Sequence, residues 1–289
     1  MLTAGCPITM PMSPSNKPEA KIPGVGWGTT LRWCQGEAPE IRDDAVAVEQ
    51  PLQMMIGDRV VAVTMRTPGN DEELAAGFLA TEGILHSSED IQAIRRCHNA
   101  DYPENSIRIH TSAPVQLDPL ERYGTIVSSC GVCGKRSIEA IRVRAPDLLH
   151  VATSVDADVL LEMPARMRSS QENFKRTGGL HAAGIFTADG TSRSIREDVG
   201  RHNAVDKVLG RAFLDGLWPL HDKILLVSGR TSFEIVQKAL VAGVPIIAAV
   251  SAPSTLAIEL AREAGQSLVG FLRTPTMNIY SHPHRFRFK

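Results

Sequence analysis

The strongest constraint on the fold lies in the last third of the chain, where short apolar runs alternate with helix-spaced ones. Residues 223–227, 245–250 and 267–272 are predominantly apolar, and 232–242 and 255–264 carry apolar residues at helical spacing. Strands buried on both faces read as continuous apolar runs, and helices between them cover the sheet. The expected fold class is therefore α/β, with a layered core. Two breaks, Ser228-Gly229-Arg230-Thr231-Ser232 and Ser251-Ala252-Pro253-Ser254-Thr255, are small and polar. They fall at strand C-terminal ends and helix N-termini, where α/β sheets hold anions on free backbone N–H groups. A cation such as Arg230 is unfavourable at that end of a helix dipole unless an anion is present. Arg273, in Gly270-Phe271-Leu272-Arg273-Thr274, also follows a strand and is a second anion-binding candidate.

Upstream the pattern is different. Val46, Val48, Leu52, Met54 and Ile56 alternate, Gly57-Asp58 turns the chain, and 60–65 runs back, which predicts a β-hairpin. Asn70 with Glu73 resembles a capping box opening a helix to about residue 86. Residues 91–97 and 106–110 make a further strand pair. A smaller α+β region over 41–127 thus precedes the α/β core over 128–289. Residues 1–40, rich in Pro, Gly, Ser and Thr without a hydrophobic period, read as a mobile N-terminal arm. Within the core, a short helix is expected around Ile138 and Ile141. A second is expected over 156–168, kinked or ended by Pro164, and an Asp189-Gly190 turn leads into a strand over 193–199.

At 289 residues the chain needs no staple to fold, since a chain of this length buries roughly 75% of its unfolded surface. A net charge of −1 gives no support for nucleic-acid binding, which lives on a basic excess. No apolar run approaches the roughly 20 residues of a membrane span, and the N-terminus lacks a secretory pattern. Five scattered cysteines make no disulfide framework and fit a reducing compartment. Cytoplasmic localisation is the expectation. Cys6 and Cys34 lack close partners, and Cys97 reads as packing.

The densest chemistry is Ser128-Ser129-Cys130-Gly131-Val132-Cys133-Gly134-Lys135-Arg136, with two thiols, two glycines and two cations. Zinc would need a second Cys or His pair, and His282-x-His284 is too closely spaced to supply it. Dithiol redox cycling and persulfide chemistry stay level on these local features, since Lys135 and Arg136 favour a thiolate for either. His181 and His202 are acid/base candidates, with Arg201, Asn203 and Asp198 near His202 in sequence. Gly178-Gly179, flanked by Lys175, Arg176 and His181, is either a tight turn or a phosphate approach. The basic tail from Tyr280 to Lys289 reads as a solvated face or a functional rim.

Four runs then resemble one family in order. They are Ser129-Cys130-Gly131-Val132-Cys133-Gly134, Thr177-Gly178-Gly179-Leu180-His181-Ala182-Ala183, the stretch 196–207 (REDVGRHNAVDK), and Ser228-Gly229-Arg230-Thr231-Ser232-Phe233-Glu234. With Asn278-Ile279-Tyr280, they are similar to the formate dehydrogenase accessory sulfurtransferases, the FdhD family. The resemblance implies a homodimeric sulfur carrier with a cytidine-deaminase-like α/β core. A cysteine desulfurase would load Cys130 as a persulfide, with Cys133 as partner. The sulfur would pass to the molybdenum of a bis(molybdopterin guanine dinucleotide) cofactor destined for formate dehydrogenase. The family's cofactor-contacting segment falls on Gly270, Phe271, Leu272, Arg273 and Thr274, and Ser228, Arg230 and His202 complete the candidate cofactor-binding set. Deaminase chemistry is not expected, because His181-Ala182-Ala183 has alanine where H-x-E would place glutamate. A cofactor-binding chaperone without sulfur transfer and a thiol-disulfide oxidoreductase remain the alternatives.

Overall fold

The computed structural model describes residues 22–97, 103–115, 146 and 148–288. The chain opens with an antiparallel ribbon, β1 (Val25–Arg32) with β2 (Glu40–Ala47). Part of the stretch read as an irregular arm is therefore strand. Its composition misled because a two-stranded ribbon needs only backbone pairing along its length and no continuous hydrophobic period. The expected hairpin follows as β3 (Gln50–Ile56) and β4 (Arg59–Arg66), then α1 (Asp71–Thr81), β5 (Ile91–Arg96) and β6 (Ser106–Thr111). These four strands form one sheet in the order β4-β3-β6-β5.

The helix α1 starts where predicted but is held differently. Asn70 lies in the left-handed region at φ 57° and makes no side-chain cap. Glu73 instead pairs with Arg196, at 2.5 and 2.7 Å. Asp71 takes the buried Arg66 through two contacts of 2.9 and 3.1 Å, so tertiary ion pairs replace the local box. The helix ends at Thr81, before the predicted boundary, and Gly83 then turns at φ 75°.

After short β7 (Val155–Asp156) come α2 (Ala157–Ser169), α3 (Glu172–Thr177), β8 (His181–Thr187), β9 (Ser192–Asp198) and α4 (Arg201–Leu214). The α/β third follows as predicted, in β10 (Lys223–Val227), α5 (Phe233–Val241), β11 (Ile246–Ala249), α6 (Thr255–Glu263) and β12 (Ser267–Arg273). A return strand, β13 (Thr276–Ser281), and a terminal β14 (Phe286–Arg287) complete it. Pro164 does not end α2. Leu160, Met163 and Met167 are fully buried on its inner face. At about 2 kcal/mol for each buried side chain they outweigh the roughly 3 kcal/mol of an interior proline.

One six-stranded sheet, ordered β13-β12-β11-β10-β8-β9, is the frame. Its β10, β11 and β12 run parallel, while β8, β9 and β13 are antiparallel to their neighbours. Alternate residues serve opposite faces. Leu225, Val227 and Ile247 pack with Val205, Leu209 and Ile235 from α4 and α5. Ile224, Leu226 and Ala248 pack with Leu160, Met163 and Met167 from α2. The smaller sheet and α1 form a third cluster, bridged to α4 by Phe213.

The two halves meet at a glycine crossing. A Cβ on Gly77 of α1 would stand 1.9 Å from the Asp206 carbonyl oxygen, and one on Gly210 of α4 1.8 Å from that of Glu73. Only glycine permits such backbone contact. The helix expected around Ile138 and Ile141 lies outside the described residues.

Candidate functional site

Topology gathers the marked runs at one end of the large sheet. The parallel strands β10, β11 and β12 all end there, stitched by Val250 N–H to Val227 O at 3.1 Å and Phe271 N–H to Ser251 O at 3.1 Å. Because β8 is antiparallel to β10, its first residues lie beside the end of β10. Ser228 N–H donates to Ala182 O at 2.9 Å, and Ala182 N–H donates to Ser228 Oγ at 2.9 Å. The register then sets Asp198 opposite His181, so β9 delivers Gly200, Arg201 and His202 to the same edge. Four segments far apart in sequence thus share one rim.

Beside this rim is a cavity of about 560 Å³. Met167, Phe174, Leu180 and Val250 give it apolar walls, and Gln171, His181 and Ser228 contribute polar groups. Arg168, also lining it, lies over the Phe174 ring at 3.9 Å. Gly178 ends α3 at φ 68°, which explains that glycine by turn geometry, and Gly179 passes Ala47 of the ribbon with only ordinary contact room. Burial, then the charges of Arg201 and Arg230, hold the His181 pKa below the usual histidine value. The two arginines add positive potential beside a ring that burial already keeps neutral.

Two further observations fit an anionic ligand. Among the described residues, Arg201 Nε and Thr231 Oγ1 are buried without a hydrogen-bond partner. The helices α4 and α5 begin at Gly200 and Ser232 without side-chain caps, which sets two positive dipole ends beside the rim. A phosphorylated ligand therefore has suitable groups to meet.

The sequence candidates separate. Ser228 lines the cavity, and Arg230 is exposed on the turn after β10. Gly270 is buried, since a Cβ there would meet Pro253 at 2.8 Å. Phe271 is exposed at φ 51°, Leu272 is a core residue, and Arg273 and Thr274 are exposed. Arg273 Nε donates to Val250 O at 3.4 Å, and Thr274 Oγ1 to Leu161 O at 2.9 Å. The backbone of this segment reaches the rim while its side chains divide between core and solvent. His202 is buried, with Nε2 at 3.1 Å from Ser232 Oγ and 3.2 Å from Glu234 Oε2. Both of these contacts are made at Nε2, and they tie the start of α4 to the start of α5. Cys130 and Cys133 lie outside the described residues.

The charges around His202 in sequence do structural work elsewhere. Asp198 is fully buried against Lys207 at 2.7 Å and takes the N–H groups of Thr67 and Gly200. Glu197 accepts from the N–H groups of Asn173 and Phe174, at 3.1 and 2.8 Å, and so caps α3. Asp206 meets Lys238 at 2.9 Å. Gln171, Met167 and Arg168 were not among the sequence candidates. Only Phe174 and the glycines after it carried a signal, as an unusual run beside His181.

Among the described residues no cluster of three or more His, Cys, Asp or Glu side chains would hold a metal ion. No described helix is long and apolar enough to cross a membrane.

Fold and site together define an α/β protein with a cavity and cationic groups at one edge of its large sheet. The chain belongs to the FdhD/NarQ family, whose model matches residues 47–287. It is 48% identical over 254 residues to the sulfur carrier protein FdhD of Nocardia farcinica, covering 85% of this chain and 89% of that one. It is 40% identical over 254 residues to that of Sulfurisphaera tokodaii, covering 87% and 95%. The crystal structure of a candidate formate dehydrogenase accessory protein from Desulfotalea psychrophila superposes with a TM-score of 0.74 at 25% identity, covering 92% of this chain and all of that one.

Proposed function

We propose that this chain is a sulfur carrier serving the maturation of formate dehydrogenase. The observation that carries the reading is its identity of 40% or more, over most of its length, to proteins named as sulfur carriers. The Cys130-Gly131-Val132-Cys133 stretch supplies the thiols. The Cys130 thiolate attacks the outer sulfur of a persulfide on a cysteine desulfurase. The donor S–S bond breaks, the donor cysteine leaves as a thiolate, and Cys130 keeps the sulfur as Cys130–S–SH. Cys133 steadies this persulfide or displaces its sulfur by closing a disulfide with Cys130, which a cellular dithiol then reduces.

The acceptor is the molybdenum centre of a bis(molybdopterin guanine dinucleotide) cofactor, handled here as substrate. Its pyrophosphates suit the positive ends of α4 and α5 with Arg201 and Arg230, and one ring system suits the apolar cavity. The homodimer belongs to the same proposal and rests on the resemblance, and the cytoplasmic setting rests on the scattered cysteines of the sequence.

Incubation with a cysteine desulfurase and cysteine should add about 32 Da, one sulfur atom, to the Cys130 peptide in non-reducing mass spectrometry. The Cys130→Ala protein should gain none and should fail to mature formate dehydrogenase. Full maturation by that variant would remove the carrier model and leave the cofactor chaperone. Arg230→Ala and Arg273→Ala should weaken GDP binding about tenfold while leaving persulfide loading intact.

A further inference from the structure

The cavity contains a polar group that the chain itself leaves unused. Gln171 is 3% exposed and lines the cavity wall. It occupies the position before α3, yet its side chain does not cap that helix. Glu197 takes the first N–H groups of α3 instead. The backbone of Gln171 is fully engaged, its N–H donating to Arg168 O and its carbonyl accepting from Lys175 N–H. Its carboxamide makes no hydrogen bond with any described residue. Its place in the cavity wall, beside Met167, Phe174 and Leu180, leaves the amide open to a ligand group.

We infer that Gln171 determines specificity by reading the hydrogen-bonding edge of a planar heterocycle bound in this cavity. The inference rests on the sheet-edge site proposed above. A carboxamide offers one acceptor and a donor side by side. One matching partner is a ring N–H next to a ring carbonyl, the edge common to guanine and to a pterin; rotated half a turn, the same amide meets the N1 and 6-amino group of adenine. Gln171 Oε1 accepts from the ring N–H while Nε2 donates to the carbonyl. Phe174 and Leu180 supply apolar contact to the ring, and the Arg168 guanidinium over Phe174 widens that surface. The anion-favouring groups at Ser228, Arg230 and Arg201 lie toward the strand-end rim, so the ligand enters with its ring at α2 and α3 and its phosphates at the ends of β10 and β9. The resulting orientation is fixed by chemistry at both ends.

The test compares GDP, ADP, neopterin and inorganic pyrophosphate by titration calorimetry on the full chain. Gln171→Leu keeps the side-chain volume and removes the edge contacts. It should weaken GDP about tenfold or more and leave pyrophosphate unchanged. Gln171→Glu can only accept, so it meets the two adjacent donors of guanine, N1–H and the 2-amino group, an arrangement adenine lacks. It should raise the GDP-to-ADP preference at least about tenfold. Loss of neopterin binding in Gln171→Leu places the pterin half in the cavity, whereas loss confined to GDP places the guanine half there; either outcome supports the role. If Gln171→Leu weakens GDP and pyrophosphate alike, or neither, and Gln171→Glu leaves the base preference as it was, the inference fails while the site stands. A wild-type chain that binds none of the four probes overturns the site and the inference together.

Discussion

At the scale of single residues, His181 shows how the rim is tuned. An isolated histidine titrates near about 6.5, and burial with Arg201 and Arg230 moves His181 lower. The neutral ring is thus the native form near neutrality. A folded-state pKa held below the unfolded one contributes stability that is complete above about pH 6.5 and is lost as the pH falls toward the folded value. An anion seated between the two arginines reverses the local field and favours the imidazolium. Sulfate, which does not itself titrate here, should therefore bind with proton uptake and more tightly at pH 6 than at pH 8. Calorimetry in two buffers of different ionisation enthalpy reads that uptake directly, and His181→Asn should abolish it.

At the scale of elements, the crossing of α1 and α4 joins the smaller sheet to the larger one. It depends on Gly77 and Gly210 lying backbone to backbone. Around it, Lys238 from α5 meets Asp206 and accompanies Thr81, whose hydroxyl donates to the same carboxylate at 3.1 Å. Burial opposes the charge on Lys238, but Asp206 and Glu82 hold its pKa above the ordinary lysine value. Gly77→Ala drives a methyl group into the Asp206 carbonyl, which neither helix can avoid without separating. The cost should be about 3 kcal/mol, measured by urea denaturation, and His181 should lose its position with the shift of α4. The 196–207 run is part of this wiring: its acidic residues hold α3, α4 and α1 in register, and only its Gly200 and Arg201 face the rim.

At the scale of the whole molecule, the basic tail closes the structure through Arg285. Arg285 is 1% exposed and donates to Gly265 O at 2.8 Å, Leu148 O at 2.6 Å and Val151 O at 3.3 Å. The next residues pair in parallel with β7, immediately before α2, whose inner residues floor the cavity. The tail had read as a solvated face or a rim, and neither describes Arg285. Replacing it with alanine strands several buried carbonyls and should cost about 3 kcal/mol, visible as a lower urea midpoint with an unchanged slope. GDP binding measured well below that midpoint should persist, which separates a structural clamp from a ligand contact.

The sequence by itself determined the class of fold and the family. Apolar runs of strand length alternating with helical periods specify a covered sheet, because burial on two faces and on one leave different spacings. The four ordered motifs were equally legible, since each is local. Tertiary structure alone decided which motif residues meet a ligand and which hold the frame. In sequence Asp198 and Asp206 belong to a motif run and Glu73 to a helix cap, yet each is matched to a cation more than eight residues and up to 123 residues away. Gln171 looks like nothing in sequence and becomes the unmatched amide of the cavity. A charge or amide announces its chemistry locally, but whether that chemistry is already satisfied depends on partners that only the folded chain brings within reach.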